Sequence, residues 1–248
     1  MKANVIVFDA SMLILGVVFY YGMKRALGKS RGRAFIVGAL SFALAIETLA
    51  VLCGVVNFYW YSINGYYKHY PLGGYIVWLG LVPLAVMLLF YIVSAASYIM
   101  ATWVYRKQNI WARSAVAGVI AFLFYLMIEP VAVTNHWWTW NAKSFYVIDI
   151  PLFAWLGVFA AVFLFTLVYQ MTVVEMSEPK ALARIEKRTV RRWPLKCDKA
   201  IRDMNWGRVE GMFAFRLLLA YVCFCAFMAP VMAVLWAVAN RGQIPPGW

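Results

Sequence analysis

The stretch that decides the fold is IPLFAWLGVFAAVFLFTLVYQMTV, from Ile150 to Val173, which contains no charged residue. A helix needs about 20 apolar residues to cross the hydrocarbon core of a bilayer. The whole chain is 65% hydrophobic and 13% charged, whereas soluble domains are roughly 45–50% apolar and 25% charged. A soluble core cannot absorb that much apolar surface, so the segment predicts a transmembrane helix.

Five further segments have the same character, and together they predict an all-α integral membrane protein with about six transmembrane helices. The third segment contains Pro83, which predicts a kink or tilt. We expect residues 1–248 to form a single membrane domain. The six predicted helices are Val5 to Met23, Ala34 to Val56, Tyr75 to Val104, Trp111 to Val133, Ile150 to Val173 and Met212 to Ala239.

The basic residues predict the orientation of these helices. Eighteen Lys and Arg residues fall on one side of the predicted membrane and four on the other, with Arg216 inside helix six. By the positive-inside rule, both termini are expected on the non-cytoplasmic side of a cytoplasmic-type (inner) membrane. Ten of the eighteen lie in or beside a predicted basic cytoplasmic loop, residues 177–211. Because the basic residues lie between apolar runs, the net charge of +13 does not indicate nucleic-acid binding.

Two parts of the chain, about 34–105 and 111–173, resemble each other and predict an internal repeat of helices 2–3 and 4–5. Helices two and four run in the same direction, so the repeat would be parallel. Each copy has an acid, an aromatic loop, a Pro-Leu pair and a Trp-Leu-Gly triplet in that order. The matched segments are Glu47-Thr-Leu-Ala-Val with Glu129-Pro-Val-Ala-Val, Trp60-Tyr61 with Trp137 to Trp140, Pro71-Leu72 with Pro151-Leu152, and Trp78 to Gly80 with Trp155 to Gly157.

Three carboxyl groups are candidate catalytic residues. Glu47 and Glu129 fall inside predicted helices, and Asp149 precedes helix five. An intramembrane carboxyl group is costly unless it is neutral or paired, and such a group is suited to proton transfer. The alternatives are a protonated carboxyl group that bonds a neighbouring helix, for either glutamate, and a helix cap for Asp149. The histidine and cysteine spacing indicates no metal site, and we expect no cofactor.

The loops near these acids are rich in aromatic residues. Such residues commonly form belts at the membrane interface, so anchoring is one interpretation. The other is a tunnel for a flat polyene, whose aromatic walls could also stabilise a carbocation by cation–π attraction. The candidate substrate-binding residues are Trp60, Tyr61, Trp137, Trp138, Trp140, Tyr146 and Trp155.

The motifs of both copies resemble those of the membrane carotenoid-biosynthesis hydratases. This family includes the bisanhydrobacterioruberin and carotenoid 1,2-hydratases and is distantly similar to the heterodimeric lycopene cyclases. The resemblance covers about residues 34–173 and implies a membrane enzyme that adds water to the terminal isoprenoid double bond of an acyclic carotenoid. The motifs are Glu129-Pro-Val-Ala-Val-Thr-Asn-His-Trp-Trp-Thr-Trp, Phe145-Tyr146, Ile150-Pro-Leu, Trp155-Leu-Gly, Glu47 to Gly54, Phe58 to Tyr61 and Pro71 to Leu84.

The sequence is also consistent with two other functions. One is a non-catalytic pigment- or lipid-binding subunit of a larger membrane complex, which would have other membrane subunits as partners. The other is a transporter, since a parallel repeat with buried acids fits proton coupling. In the leading interpretation the partners are membrane lipid and a carotenoid or other polyene.

Overall fold

The computed structural model describes residues 3–58, 75–105, 109–135, 137–140, 146–147, 150–174 and 206–239. Six helices in these ranges are long and apolar enough to cross a membrane, which confirms the predicted number of spans. The protein is therefore a multi-pass membrane protein. The helices are α1 (Ala3–Leu27), α2 (Lys29–Leu52), α3 (Leu84–Val104), α4 (Ile110–Thr134), α5 (Leu152–Tyr169, continued by a π-helix over Gln170–Val174) and α6 (Trp206–Ala239).

The helix bounds correct one prediction. Pro83 does not kink the third helix; it is the N-cap residue of α3, which begins at Leu84. Proline is tolerated there because its missing N–H would have no partner at a helix start. The loop predicted at 177–211 stays a prediction, and its last residues lie in α6, which begins at Trp206. The remainder of that loop lies outside the described residues.

The fold is mostly helical but not all-α. Among the described residues, three pairs of short antiparallel strands connect the helices near one end of the bundle. Each pair satisfies backbone hydrogen bonds that would otherwise be left unmade beside the membrane. The pairs are β1 (Val56–Phe58) with β4 (Trp138–Trp140), β2 (Trp78–Leu79) with β3 (Val82–Pro83), and β5 (Tyr146–Val147) with β6 (Ile150–Pro151).

The helices form an inner pair and an outer ring. α3 and α5 are the most buried of the six spans, and α3 packs against α1, α2 and α4. The outer helices expose large apolar side chains such as Val17, Leu123 and Leu218. An exposed apolar surface of this extent fits contact with lipid.

The turn between α1 and α2 depends on glycine. Gly28 alone separates the two helices and has a φ of 88°, a conformation that a side chain disfavours. A Cβ atom at Gly32 would lie 3.1 Å from backbone atoms of Lys24. These glycines let α1 and α2 approach closely at the end of the bundle opposite β1 and β4.

The structure bears on the internal repeat in two ways. Pro83 and Pro151 are each the last residue of a short hairpin and the N-cap residue of the helix that follows. Their backbone angles agree: φ is −65° and ψ is 137° at Pro83, and φ is −68° and ψ is 136° at Pro151. Trp78-Leu79 forms a strand whereas Trp155-Leu156 lies inside α5, so these two segments are not structural equivalents. Pro83 matches Pro151 in conformation and position, whereas Pro71 and Leu72 lie outside the described residues. Three points stay predictions: the repeat itself, the parallel orientation of its two copies, and the side of the membrane on which the termini lie.

Candidate functional site

A cavity of about 300 Å³ lies near the ends of α2 and α4. Helices α2 to α6 and strands β1 and β4 contribute its walls. Most lining side chains are apolar or aromatic, including Phe90 of α3 and Phe153 of α5. Apolar walls with a few polar groups are typical of a small-molecule site.

Glu129 is one of the polar groups in this cavity, and it is 2% exposed. Its Oε2 atom accepts hydrogen bonds from the indole N–H groups of Trp138, at 3.0 Å, and Trp140, at 3.2 Å. An indole N–H can only donate, so Oε2 is the acceptor in both bonds. β4 thus fixes the position of the carboxyl group.

Glu47 reaches the same cavity from α2. It lies five residues before the end of its helix, as Glu129 does in α4, so both carboxyl groups lie at about the same depth. The two are close enough to interact electrostatically. Among the described residues, none donates a hydrogen bond to Glu47. Within the described part of the chain, hydrogen bonds therefore anchor Glu129 but not Glu47.

Pairing between β1 and β4 brings the two acids together. Phe58 lies opposite Trp138, and Val56 lies opposite Trp140. The strands follow the helices that carry Glu47 and Glu129 by the same number of residues. This ladder joins the ends of α2 and α4 although they are distant in sequence.

Tyr125 is a cavity residue that the sequence interpretation missed. It lies on α4 in the same cavity, is 7% exposed, and interacts electrostatically with both glutamates. Its position four residues before Glu129 was a usable signal, because residues at i and i+4 share one face of a helix. The Tyr125 side chain gives the cavity a hydroxyl group beside the two acids.

Two of the predicted aromatic residues lie outside the cavity wall. Trp137 stacks on Phe8 of α1, with ring centroids 4.1 Å apart, and its carbonyl oxygen accepts a hydrogen bond from the Tyr75 hydroxyl. Trp155 is buried, and its N–H group has no partner within the described part of the chain. Its neighbours Phe153 and Ala154 line the cavity instead.

The remaining predicted site residues are less fully described. Tyr146 lies in β5 opposite Pro151, but its side chain is not described. Asp149, Trp60 and Tyr61 lie outside the described residues. Their predicted roles stay predictions.

The sequence interpretation also overlooked Asp9 of α1, which is 3% exposed. One of its carboxyl oxygens accepts a hydrogen bond from the backbone N–H of Ile76. This contact holds the segment before β2 against α1. Asp9 is absent from the described cavity lining, so it supports the structure around the site and does not enter it.

The arrangement is suited to proton transfer in an apolar space. It provides two carboxyl groups, a phenol and several aromatic faces in one cavity. Within the described ranges, no group of three His, Cys, Asp or Glu side chains is arranged to hold a metal ion.

Comparison with known proteins identified one family. The family model described as "Carotenoid biosynthesis protein" matches residues 3–196. No curated protein and no solved structure shows a significant match to the chain.

Proposed function

The chain belongs to the carotenoid biosynthesis protein family, and we propose that it adds water to a terminal isoprenoid double bond of an acyclic carotenoid. Family membership indicates the broader role in carotenoid biosynthesis. The observation that supports the specific reaction is the pair of carboxyl groups, Glu47 and Glu129, in one apolar cavity. Hydration of an unactivated double bond needs an acid that protonates one alkene carbon. It is helped by a base that takes a proton from the water that adds to the other carbon.

In the proposed reaction, Glu47 in its neutral form transfers a proton to the less substituted alkene carbon. The alkene π electrons form the new C–H bond and leave a tertiary carbocation at the neighbouring carbon. Water then forms a C–O bond to that carbon and gives a proton to the carboxylate of Glu129. Proton exchange restores both acids, so the net change is the addition of one water molecule.

The hydrogen bonds support this division of roles. Trp138 and Trp140 both donate to Oε2 of Glu129, and donors of this kind stabilise a carboxylate that is to accept a proton. No such donor to Glu47 is present among the described residues, which suits a neutral proton donor. We propose that Asp149 assists.

Aromatic side chains support the cation that this reaction forms. Trp138, Trp140, Phe58 and Phe153 line the cavity. Their faces attract a positive charge, and the attraction is worth about 2 kcal/mol when the site excludes water. In the proposal, Trp60, Tyr61, Trp137, Tyr146 and Trp155 complete or support the aromatic surroundings of the substrate.

The proposed orientation places this cavity toward the non-cytoplasmic side of an inner-type membrane. The six apolar helices fit contact with membrane lipid, and a carotenoid substrate would dissolve in the same bilayer. Under the positive-inside rule the Arg33 end of α2 then lies at the cytoplasmic surface.

The experiment is to express the protein in cells that accumulate an acyclic carotene and to measure the mass of the extracted carotenoids. The proposal predicts products heavier than the carotene by one water molecule, and none in cells that express Glu47→Gln at the same level. Unchanged carotenoids would contradict the hydratase proposal. If the carotene then co-purified with the protein, a non-catalytic pigment-binding subunit would be the better account.

A further inference from the structure

A groove of about 870 Å³ lies between α2 and α6. Its walls are mostly apolar, with small residues such as Ala34, Ser41 and Ala45 along α2. An ion pair between Arg33 and Glu210 lies at one end. The groove runs from this ion pair toward the end of α2 that bears Glu47.

The groove and the cavity adjoin each other along α6. One face of this helix lines first the groove and then the cavity, with residues at the three- and four-residue spacing of a helix. Leu49 of α2 borders both spaces. The groove residues on this face of α6 are Phe213, Leu217 and Tyr221, and the cavity residues are Phe224, Met228 and Met232.

The dimensions of this path match a long and narrow hydrocarbon. Phe213 and Met232 are about 28 Å apart along the helix axis, close to the roughly 30 Å thickness of the hydrocarbon core. The groove is nearly three times as large as the cavity, 870 Å³ against 300 Å³.

The cavity alone is too small for such a molecule. Its volume of about 300 Å³ is roughly twice that of an apolar cavity that binds benzene, which suits the end of a chain and not its whole length. A long substrate whose end reaches Glu47 and Glu129 must therefore place most of its chain elsewhere. The continuous face of α6 leads that chain into the groove.

We propose that the groove between α2 and α6 holds the polyene chain of a carotenoid whose end group lies in the cavity beside Glu47 and Glu129. This inference rests on the proposed function for the identity of the ligand. The groove makes binding depend on the length of the ligand, because only a long chain fills both spaces. The end of the chain farthest from the cavity lies near the Arg33–Glu210 ion pair.

The test compares two tryptophan substitutions on α6. Ala214 lines the groove, whereas Ala226 lies on the same helix, is also exposed, and lines neither space. Ala214→Trp fills the groove, and Ala226→Trp is the matched control. Ser41→Trp fills the groove from its other wall, on α2. It shows whether a change in binding comes from filling the groove or only from the substitution at Ala214.

Purified protein in lipid nanodiscs would be incubated with lycopene or with geranylacetone, a short isoprenoid that ends in the same group. We expect Ala214→Trp and Ser41→Trp to retain about tenfold less lycopene per protein than the wild type. Geranylacetone retention should not change, because the cavity stays open. Ala226→Trp should bind both ligands as the wild type does.

Normal lycopene retention in both groove variants would overturn the inference and leave the proposed function intact. So would equal loss of both ligands, because the groove would then not be a separate site. Loss of a bound phospholipid with unchanged lycopene would show that the groove is a lipid site. If the wild type bound neither isoprenoid, the proposed function and the inference would both be wrong.

Discussion

The ends of α2 and α4 carry the same acid at the same distance from the helix end, yet their surroundings differ. After α4, the strand residues Trp138 and Trp140 both donate to Glu129. After α2, the corresponding strand positions are Val56 and Phe58, which have no side-chain donor to offer. Two helix ends of similar layout therefore hold two acids whose described surroundings differ. In the proposed reaction, this difference lets Glu47 donate a proton and Glu129 receive one.

Removing either acid should give the largest effect. We expect Glu47→Gln and Glu129→Gln each to lower the rate of hydration by about a hundredfold to ten-thousandfold, the usual contribution of an acid or base. Glutamine keeps the size of the side chain, and at 129 its carbonyl oxygen still accepts from the two indoles. The measurement is product formed per protein, with thermal unfolding as the control for folding. Wild-type turnover in either variant would contradict the two-acid account.

Making the α4 side resemble the α2 side should give a smaller effect. The double change Trp138→Phe and Trp140→Phe removes both donors to Glu129 and keeps the aromatic faces. We expect a loss of activity of about tenfold to a hundredfold, since each hydrogen bond to a charged group contributes about 1.5–3 kcal/mol and part of this is recovered by relaxation.

Trp111→Phe is the control for this change, because Trp111 lies on the same helix as Glu129 but does not line the cavity. It should retain activity close to that of the wild type. Equal losses in the double variant and the control would mean that the indole donors have no special role.

The support from α1 should give the smallest effect. Phe8 stacks on Trp137, next to the strand that anchors Glu129. Phe8→Leu should lower the free energy of unfolding by about 1 kcal/mol, the value of an aromatic pair beyond its burial. Tyr21→Leu, at an exposed position of the same helix, should change stability less. Thermal unfolding in detergent would measure both, and a larger loss in Tyr21→Leu would contradict this role of Phe8.

The transmembrane helices could be predicted from the sequence because an apolar run of sufficient length has few alternatives in a membrane. The prediction failed where an apolar run is not helical. Residues from Tyr75 to Pro83 are apolar enough to extend the third helix, but they include the β2–β3 hairpin. Composition alone cannot separate a short buried strand from a helix. The same error hid the role of Pro83.

The site was only partly predictable for a different reason. Glu47 and Glu129 stood out because carboxyl groups are rare within membrane helices. Their presence in one cavity depends on the pairing of β1 with β4, which connects residues far apart in sequence and has no local signal. The α6 residues Phe224 and Met228 look like any other apolar residues in the sequence. Only the packing of α6 beside α2 shows that they line the cavity.

The most direct test of the central claim is to follow the atoms of water into the product. The protein would be supplied with an acyclic carotene in D₂O enriched in oxygen-18, and the product analysed by mass spectrometry after exchangeable deuterium is washed out. Acid-catalysed hydration predicts one oxygen-18 atom and one carbon-bound deuterium for each hydroxyl group formed, with neither in Glu47→Gln. A hydroxylated product that lacks the carbon-bound deuterium, or whose oxygen does not come from water, would contradict the account.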